Sequence, residues 1–385
     1  MPWKTILVGS LVVIGIALLI IDRFNFQTSN KPSVEIAAKD ISTDCAQADK
    51  EQCYKAGFGN LIKQYNFSFA QATLLALQDI DPFTKSCHVL AHSMARDAVR
   101  KSPKNWLQLM DSVDVNACGS GFLHGVLEAH LGDDSTTKFD SKLSETVCDH
   151  GPDDYRRRMC THFMGHFFVV GSQDILSQAL PNCDGVADKL KFDCLDGLFM
   201  EHNQRIALVD HGLLPAPTYT PEYAKQLEQG CSSYNGVQGL ACWTEMAEVY
   251  AKTFGYDAKK IYDNCEHAKD FEQAESCYFK GVVILATYPL ELNKQQLVEI
   301  CSFYKDEATY QSCLTYFISS LMHYSVKFTD RGIELCQNIS SYNQWCFEEL
   351  GRQLAQSAPS AEQRTELCQT AEPKYRNSCI HADVK

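Results

Sequence analysis

One cysteine recurs along most of the chain at an interval of about 35 residues, and this period constrains the fold more than any other feature. The intervals between successive members are 34, 31, 42, 34, 48, 35, 36, 33 and 33 residues. A period of about 20–50 residues is typical of repeat proteins. Because an amphipathic helical pattern follows each member, ten stacked helical hairpins are predicted. The recurring cysteines are Cys53, Cys87, Cys118, Cys160, Cys194, Cys242, Cys277, Cys313, Cys346 and Cys379.

Most units carry a second cysteine 8 to 12 residues before the recurring one, where the preceding helix should end. Eight units thus contain their own pair, and the two cysteines left over, Cys87 and Cys118, are predicted to bond to each other. Each bridge within a hairpin closes a short loop and should stabilise the fold by roughly 3 kcal/mol. The predicted disulfides are Cys45–Cys53, Cys87–Cys118, Cys148–Cys160, Cys183–Cys194, Cys231–Cys242, Cys265–Cys277, Cys301–Cys313, Cys336–Cys346 and Cys368–Cys379.

This arrangement resembles the cysteine-rich Sel1-like and tetratricopeptide-type repeats of secreted bacterial proteins, which also stack disulfide-closed helical hairpins. The resemblance extends from Cys45 to the C-terminus and concerns architecture alone. It implies an all-α, disulfide-stapled α-solenoid of about ten hairpins and assigns no functional residue.

The N-terminal region predicts a membrane anchor. Residues 5–21 form a run of low polarity, preceded by Lys4 and followed by Asp22 and Arg23. We expect an uncleaved transmembrane helix at 1–23 and a polar linker at 24–43, with a cleaved signal peptide as the alternative. The 18 cysteines indicate an oxidising compartment. A single-pass protein of the cytoplasmic (inner) membrane is therefore predicted, with its bulk in the periplasm or a similar extracytoplasmic space.

Charge and proline content divide the remaining chain. The net charge of −13 argues against nucleic acid as a partner. Repeats 1–5 should occupy 44–204, and repeats 6–10 should occupy 222–385, where a protein partner could bind. Between them, the insertion 205–221 contains Pro215, Pro217 and Pro221, so it cannot be helical throughout.

Paired ligand-type residues one helical turn apart mark three consecutive units. Spacing i,i+4 places both members on one helix face, and neighbouring helices of a solenoid could direct them to one point. Imidazole and carboxylate are ligands of zinc, non-haem iron, manganese and copper. We therefore expect a divalent metal, iron or zinc with copper possible, in a mononuclear or dinuclear site. The predicted ligands are His88, His92, His124, Glu128, His162 and His166.

Further residues near these pairs could orient the ligands. Glu201, His202 and Arg96 are candidates for hydrogen bonds to the ligating side chains. Glycines within the same predicted helices indicate either close helix contact or room for an ion, because glycine costs about 1 kcal/mol relative to alanine there.

Several functions fit this pattern, and the sequence names no substrate. The first is a metal-dependent enzyme, with oxidoreductase chemistry favoured over hydrolysis. In outline it is similar to deoxyhypusine hydroxylase, whose helical repeats hold two irons through adjacent His-Glu pairs, where this chain has His-x-x-x-His and His-x-x-x-Glu. The alternatives are a non-catalytic binder of metal or haem and a protein-interaction scaffold. Motifs of serine hydrolases, P-loop nucleotidases and c-type cytochromes are absent from the sequence.

Overall fold

The structure, a computed structural model, describes residues 31–85, 87–113, 117–131, 140–149, 153–210, 212–287, 294–324, 326–339, 341–358 and 360–381. Regular secondary structure in these ranges is helical throughout, with 21 α-helices and four short 3-10 turns. The predicted all-α class is confirmed. The predicted anchor at 1–23 and the first part of the linker lie outside the described residues. In the part that is described, every helix is too short or too polar to cross a membrane.

Twenty of the α-helices form ten hairpins, each with a first and a second helix, and one short helix, α11, follows the fifth hairpin. In chain order they are α1 Val34–Asp44 and α2 Lys50–Gln64; α3 Phe67–Leu77 and α4 His88–Lys101; α5 Trp106–Ser112 and α6 Gly121–Leu131; α7 Ser141–Cys148 and α8 Asp154–Gly171; α9 Leu176–Asp184 and α10 Asp188–Gln204; α11 Ile206–Asp210; α12 Pro221–Cys231 and α13 Gly236–Thr253; α14 Ala258–Cys265 and α15 Phe271–Thr287; α16 Lys294–Glu299 and α17 Glu307–Tyr324; α18 Thr329–Asn338 and α19 Asn343–Ser357; α20 Ala361–Leu367 and α21 Pro373–His381. The 3-10 turns are Pro82–Lys85, Pro103–Asn105, Ala117–Ser120 and Val326–Phe328.

Polar side chains at the hairpin boundaries cap the N-termini of many of these helices. Each accepts a hydrogen bond from a backbone N–H in the first turn, a contact typically worth about 1 kcal/mol. The residues that cap in this way are Ser33, Asp49, Asn66, Asp140, Asp153, Thr220, Asp257 and Ser360.

The predicted linker must be shortened, because α1 occupies most of its second half. Ser33 caps this helix, and Ala37, Ala38 and Ile41 form its buried face. The helix packs against α3. Three small or medium apolar residues within about one helical turn are therefore enough to join this segment to the array.

The hairpins stack in chain order. Each second helix contacts the second helix of the next hairpin, from α2 through to α21. The apolar side chains between them form one continuous core along the array. In addition, α17 contacts the turn Ala117–Ser120, so the array curves far enough to bring the eighth hairpin against the third.

Nine disulfides hold the array, and they are the pairs that the cysteine order predicts. Eight close a single hairpin, with their cysteines 8 to 12 positions apart in the sequence. Cys87–Cys118 instead spans 31 residues and ties the start of α4 to the turn before α6. This disulfide links two hairpins directly beside the histidine motifs.

The insertion 205–221 begins with α11 and then runs without regular structure to α12, apart from His211, which is outside the described residues. Its Tyr219 ring lies 4.8 Å from the Lys252 ammonium on α13. The segment therefore packs against the sixth hairpin.

Candidate functional site

Five histidines from three consecutive second helices form one continuous cluster. The ring centroids of His88 and His92 on α4 are 5.9 Å apart, and they lie 5.1 and 6.3 Å from that of His124 on α6. On α8, His162 and His166 have centroids 5.1 Å apart, at 6.1 and 5.8 Å from that of His124. The structure thus brings all five predicted imidazoles together, with His124 between two pairs.

Glycine allows the helices that carry these rings to touch backbone to backbone. A Cβ atom on Gly125 would lie 2.1 Å from the carbonyl oxygen of His92, and one on Gly197 would lie 1.8 Å from that of His162. Any side chain there would force the helices apart. Of the two sequence interpretations, close helix contact is therefore correct at these positions. The glycines in such contacts are Gly121, Gly125, Gly165 and Gly197.

Contacts at Nδ1 indicate the tautomers of the two α4 histidines. Nδ1 of His88 lies 3.1 Å from the carbonyl oxygen of Cys118, which only accepts, so Nδ1 carries the proton. Nδ1 of His92 lies 2.9 Å from the Glu128 carboxylate, whose other oxygen accepts from Arg96 at 3.1 Å. In the neutral rings, both Nε2 atoms therefore carry a lone pair.

The two α8 histidines follow the same rule. Nδ1 of His162 lies 3.1 Å from Asp196, and Nδ1 of His166 lies 2.8 Å from Glu201. Both carboxylates are on α10, the helix that Gly165 and Gly197 bring close. Each carboxylate accepts a hydrogen bond from Nδ1–H, which leaves the lone pair on Nε2.

Both carboxylates are placed to act as acceptors. Burial alone would raise the pKa of Asp196, but Lys280 and His162 bring it below its usual range. The Glu201 carboxylate also accepts hydrogen bonds of 3.0 and 2.8 Å from two backbone N–H groups of α11. The short helix after the fifth hairpin therefore serves to fix Glu201.

The Nε2 atoms of His162 and His166 face each other. They lie 3.2 Å apart. If both rings are neutral and protonated on Nδ1, the lone pairs of these two Nε2 atoms repel each other. A cation between them, either a proton or a metal ion, removes this repulsion. A shared cation at this point would therefore be favourable.

The central histidine has the most unusual environment. Burial, followed by the neighbouring imidazoles, holds the pKa of His124 well below its ordinary value, so the ring is neutral at neutral pH. Its Nε2 atom is buried and has no hydrogen-bond partner among the described residues. One face of the ring stacks on Phe163, with centroids 4.7 Å apart. A buried nitrogen without a partner costs about 1–3 kcal/mol, so His124 is poorly explained as a packing residue.

The remaining predicted residues take different places. Glu128 and Glu201 each contact Nδ1 of a histidine, and Arg96 contacts Glu128. His202 points elsewhere and pairs with Asp174. Glu128, which the sequence suggested as a ligand, thus lies where it orients His92.

Sequence reasoning missed Asp196, although a signal for it exists. His162 lies two residues after the recurring cysteine of its unit, and Asp196 lies two residues after that of the next unit. Equal register in neighbouring second helices places side chains side by side, so comparing units position by position would have found this contact.

The protein is a disulfide-closed helical repeat protein with a buried cluster of histidines. In the described part of the chain, no group of three or more His, Cys, Asp or Glu side chains is arranged so that it could hold a metal ion. No protein-family model matches the chain, and the comparisons with curated proteins and with solved structures give no significant match.

Proposed function

We propose that this chain is an extracytoplasmic metalloprotein in which His124, His162 and His166 bind a divalent transition-metal ion. The observation that carries the proposal is the 3.2 Å separation of the His162 and His166 Nε2 atoms, with both Nδ1 atoms directed at carboxylates. Metal–imidazole bonds of about 2.0–2.1 Å at a tetrahedral angle require donor atoms about 3.3 Å apart. The pair therefore needs almost no adjustment.

The third ligand is His124. Its Nε2 is buried and has no hydrogen-bond partner in the described part of the chain. This atom is within reach through rotation of a ring whose centroid already lies 5.8 Å from that of His166. Because this ring is neutral, binding an ion displaces no proton from it. His88 and His92 offer two further Nε2 lone pairs and are assigned to a second ion on the other side of His124.

The donor set limits the metal. All cysteines of the chain are in disulfides, so no thiolate is available, and imidazole suits zinc, iron, copper and nickel. We favour iron or zinc, with copper as the next candidate. Asp196 and Glu201 would orient the ligating rings and increase their basicity, as carboxylates next to metal-bound histidines commonly do.

Three protein ligands favour an enzyme, because catalytic sites typically keep one position for water or substrate. Such an ion, when bound, acts as a Lewis acid and lowers the pKa of a coordinated water. Burial favours a second candidate, metal storage or delivery, since His124, His162 and His166 are only 4–8% exposed. Membrane attachment through 1–23 and a protein partner on repeats 6–10 belong to the same proposal, and the nine disulfides support an oxidising location.

Metal analysis tests the proposal. The full chain is purified from an oxidising compartment without chelator, and its iron, zinc and copper contents are measured. We expect at least one ion per chain, and one ion fewer in the double variant His162→Ala, His166→Ala. His267→Ala is the matched control, because that imidazole is 53% exposed and pairs with Glu228 at the surface.

Two results would overturn the proposal: equal metal content in the double variant, or a full chain that takes up no Zn²⁺, Fe²⁺ or Cu²⁺. The shared charge between the two Nε2 atoms would then be a proton. Azide binding to the Co²⁺-loaded protein separates the two candidates. A spectral change supports the enzyme, and an unchanged spectrum supports storage or delivery.

A further inference from the structure

A second chain of polar contacts reaches His162 from the sixth and seventh hairpins. The Lys280 ammonium on α15 lies 2.9 Å from Oε1 of Glu245 on α13. The Glu245 carboxyl group interacts electrostatically with that of Asp196 on α10, and Asp196 contacts Nδ1 of His162. Four side chains from four neighbouring second helices are thus connected in one line.

The two buried carboxyl groups depend on Lys280. Burial raises the pKa of Glu245 well above its usual value, with Asp196 adding to the shift against the opposing effect of Lys280. Lys280 is therefore the cation that offsets the burial of this pair.

The middle of the line is held from both sides. Glu245 is fully buried, and its Oε2 atom accepts a hydrogen bond of 3.3 Å from Gln204. With Oε1 held by Lys280, the carboxyl group cannot turn without breaking a contact. Lys280 itself is 26% exposed, so its charge is only partly screened by solvent.

Packing alone does not explain this arrangement. Burying charged groups is costly, and apolar side chains of similar volume often serve as well or better. The line ends on the imidazole whose Nε2 faces His166.

We propose that Lys280 is a positioning residue for the metal centre: acting through Glu245 and Asp196, it fixes the His162 ring with Nε2 toward the ion. The effect on the ion rests on the proposed function. The effect on the ring does not, and it can be measured without metal.

The test compares Lys280→Met and Lys280→Arg with the full-length wild-type chain. Nuclear magnetic resonance of ¹⁵N-histidine-labelled, metal-free protein reports the proton on Nδ1 of His162, and competition titration reports Zn²⁺ affinity. In Lys280→Met we expect loss or displacement of the Nδ1–H signal and an affinity about tenfold lower, the lower end of the effect of such outer contacts. Lys280→Arg keeps the positive charge, so it should retain most of the Nδ1–H signal and most of the Zn²⁺ affinity.

Lys259→Met is the control, because Lys259 forms an exposed ion pair with Asp263 on α14; both readouts should match wild type. If Lys280→Met does not fold, Lys280→Gln replaces it, being neutral, polar and too short to reach Glu245. The inference fails if the neutral variant folds with an unchanged His162 signal and unchanged affinity. If the wild-type chain binds no Zn²⁺ but Lys280→Met still changes the His162 signal, the proposed function is wrong and the positioning of the ring is supported.

Discussion

Gly197 packs directly against the carbonyl group of His162, and Gly125 packs in the same way against that of His92. Each contact joins a helix that carries histidines to a helix that carries the carboxylate or imidazole next to them. Helix separation, and with it the distance between ligand and orienting group, is therefore set by the absence of two Cβ atoms.

Replacing Gly197 with alanine should loosen both the fold and the site. The new Cβ would overlap backbone, which cannot move as a flexible side chain can, and overpacking of this kind costs about 1–3 kcal/mol or more. Unfolding in urea under oxidising conditions measures the loss. Gly230→Ala on α12 is the control, because open space surrounds its Cβ position; it should be neutral or stabilising by about 0.4–1 kcal/mol. Equal effects of the two substitutions would contradict this account.

Replacing His124 with leucine should separate stability from metal binding. The substitution removes a buried nitrogen that has no hydrogen-bond partner among the residues described, so the metal-free protein should be as stable as wild type or more stable, by up to about 1–3 kcal/mol. Zn²⁺ should no longer raise the unfolding temperature as it does in wild type. A large loss of stability without metal would instead assign His124 to packing.

The stability of the metal-free protein should fall as the pH is lowered below about 6.5. The folded pKa of His124 lies well below the ordinary value of 6.5, so in this window the unfolded chain binds a proton that the folded chain does not. Protons therefore favour unfolding, and stability decreases as pH falls through the unfolded pKa. Urea unfolding at a series of pH values should give a smaller slope for His124→Leu. Burial also lowers the pKa values of His130 and His166, so part of the slope should persist.

The disulfide between Cys87 and Cys118 should matter for both stability and the site. Replacing both cysteines with alanine opens a 31-residue loop and should cost about 3–4 kcal/mol. It should also weaken the second ion, because the carbonyl oxygen of Cys118 holds Nδ1 of His88. Metal titration and urea unfolding check both effects. Replacing Cys336 and Cys346 in the same way should reduce stability while leaving metal binding intact, and an equal loss of metal in both variants would refute the link to His88.

The repeat architecture was predictable because its signals are periodic. The positions of the recurring cysteines predicted the second helix of each hairpin. The i,i+4 histidines of three successive units then indicated one shared surface. The helix α1 was missed because its buried face consists of two alanines and one isoleucine, a pattern too weak to distinguish from a linker.

The polar contacts were harder to predict. Glu245 and Lys280 are charged residues within helices, a pattern that usually indicates a solvent-facing surface, and their partners lie 35 or more residues away in the chain. Only packing shows that Glu245 is fully buried. Glu128 was predicted as a metal ligand from its helical spacing to His124. Spacing alone does not show that its carboxylate contacts Nδ1 of His92.

Backbone contact through glycine joins α4 to α6 and α8 to α10, and in the described residues no glycine makes such a contact between α6 and α8. This part of the array therefore consists of two pairs of closely packed helices that meet along a seam, with His124 on one side and His162 and His166 on the other. An ion clasped across that seam would fix the bend of the array. Conversely, straightening the array would move the His124 imidazole away from those of His162 and His166 and would release the ion.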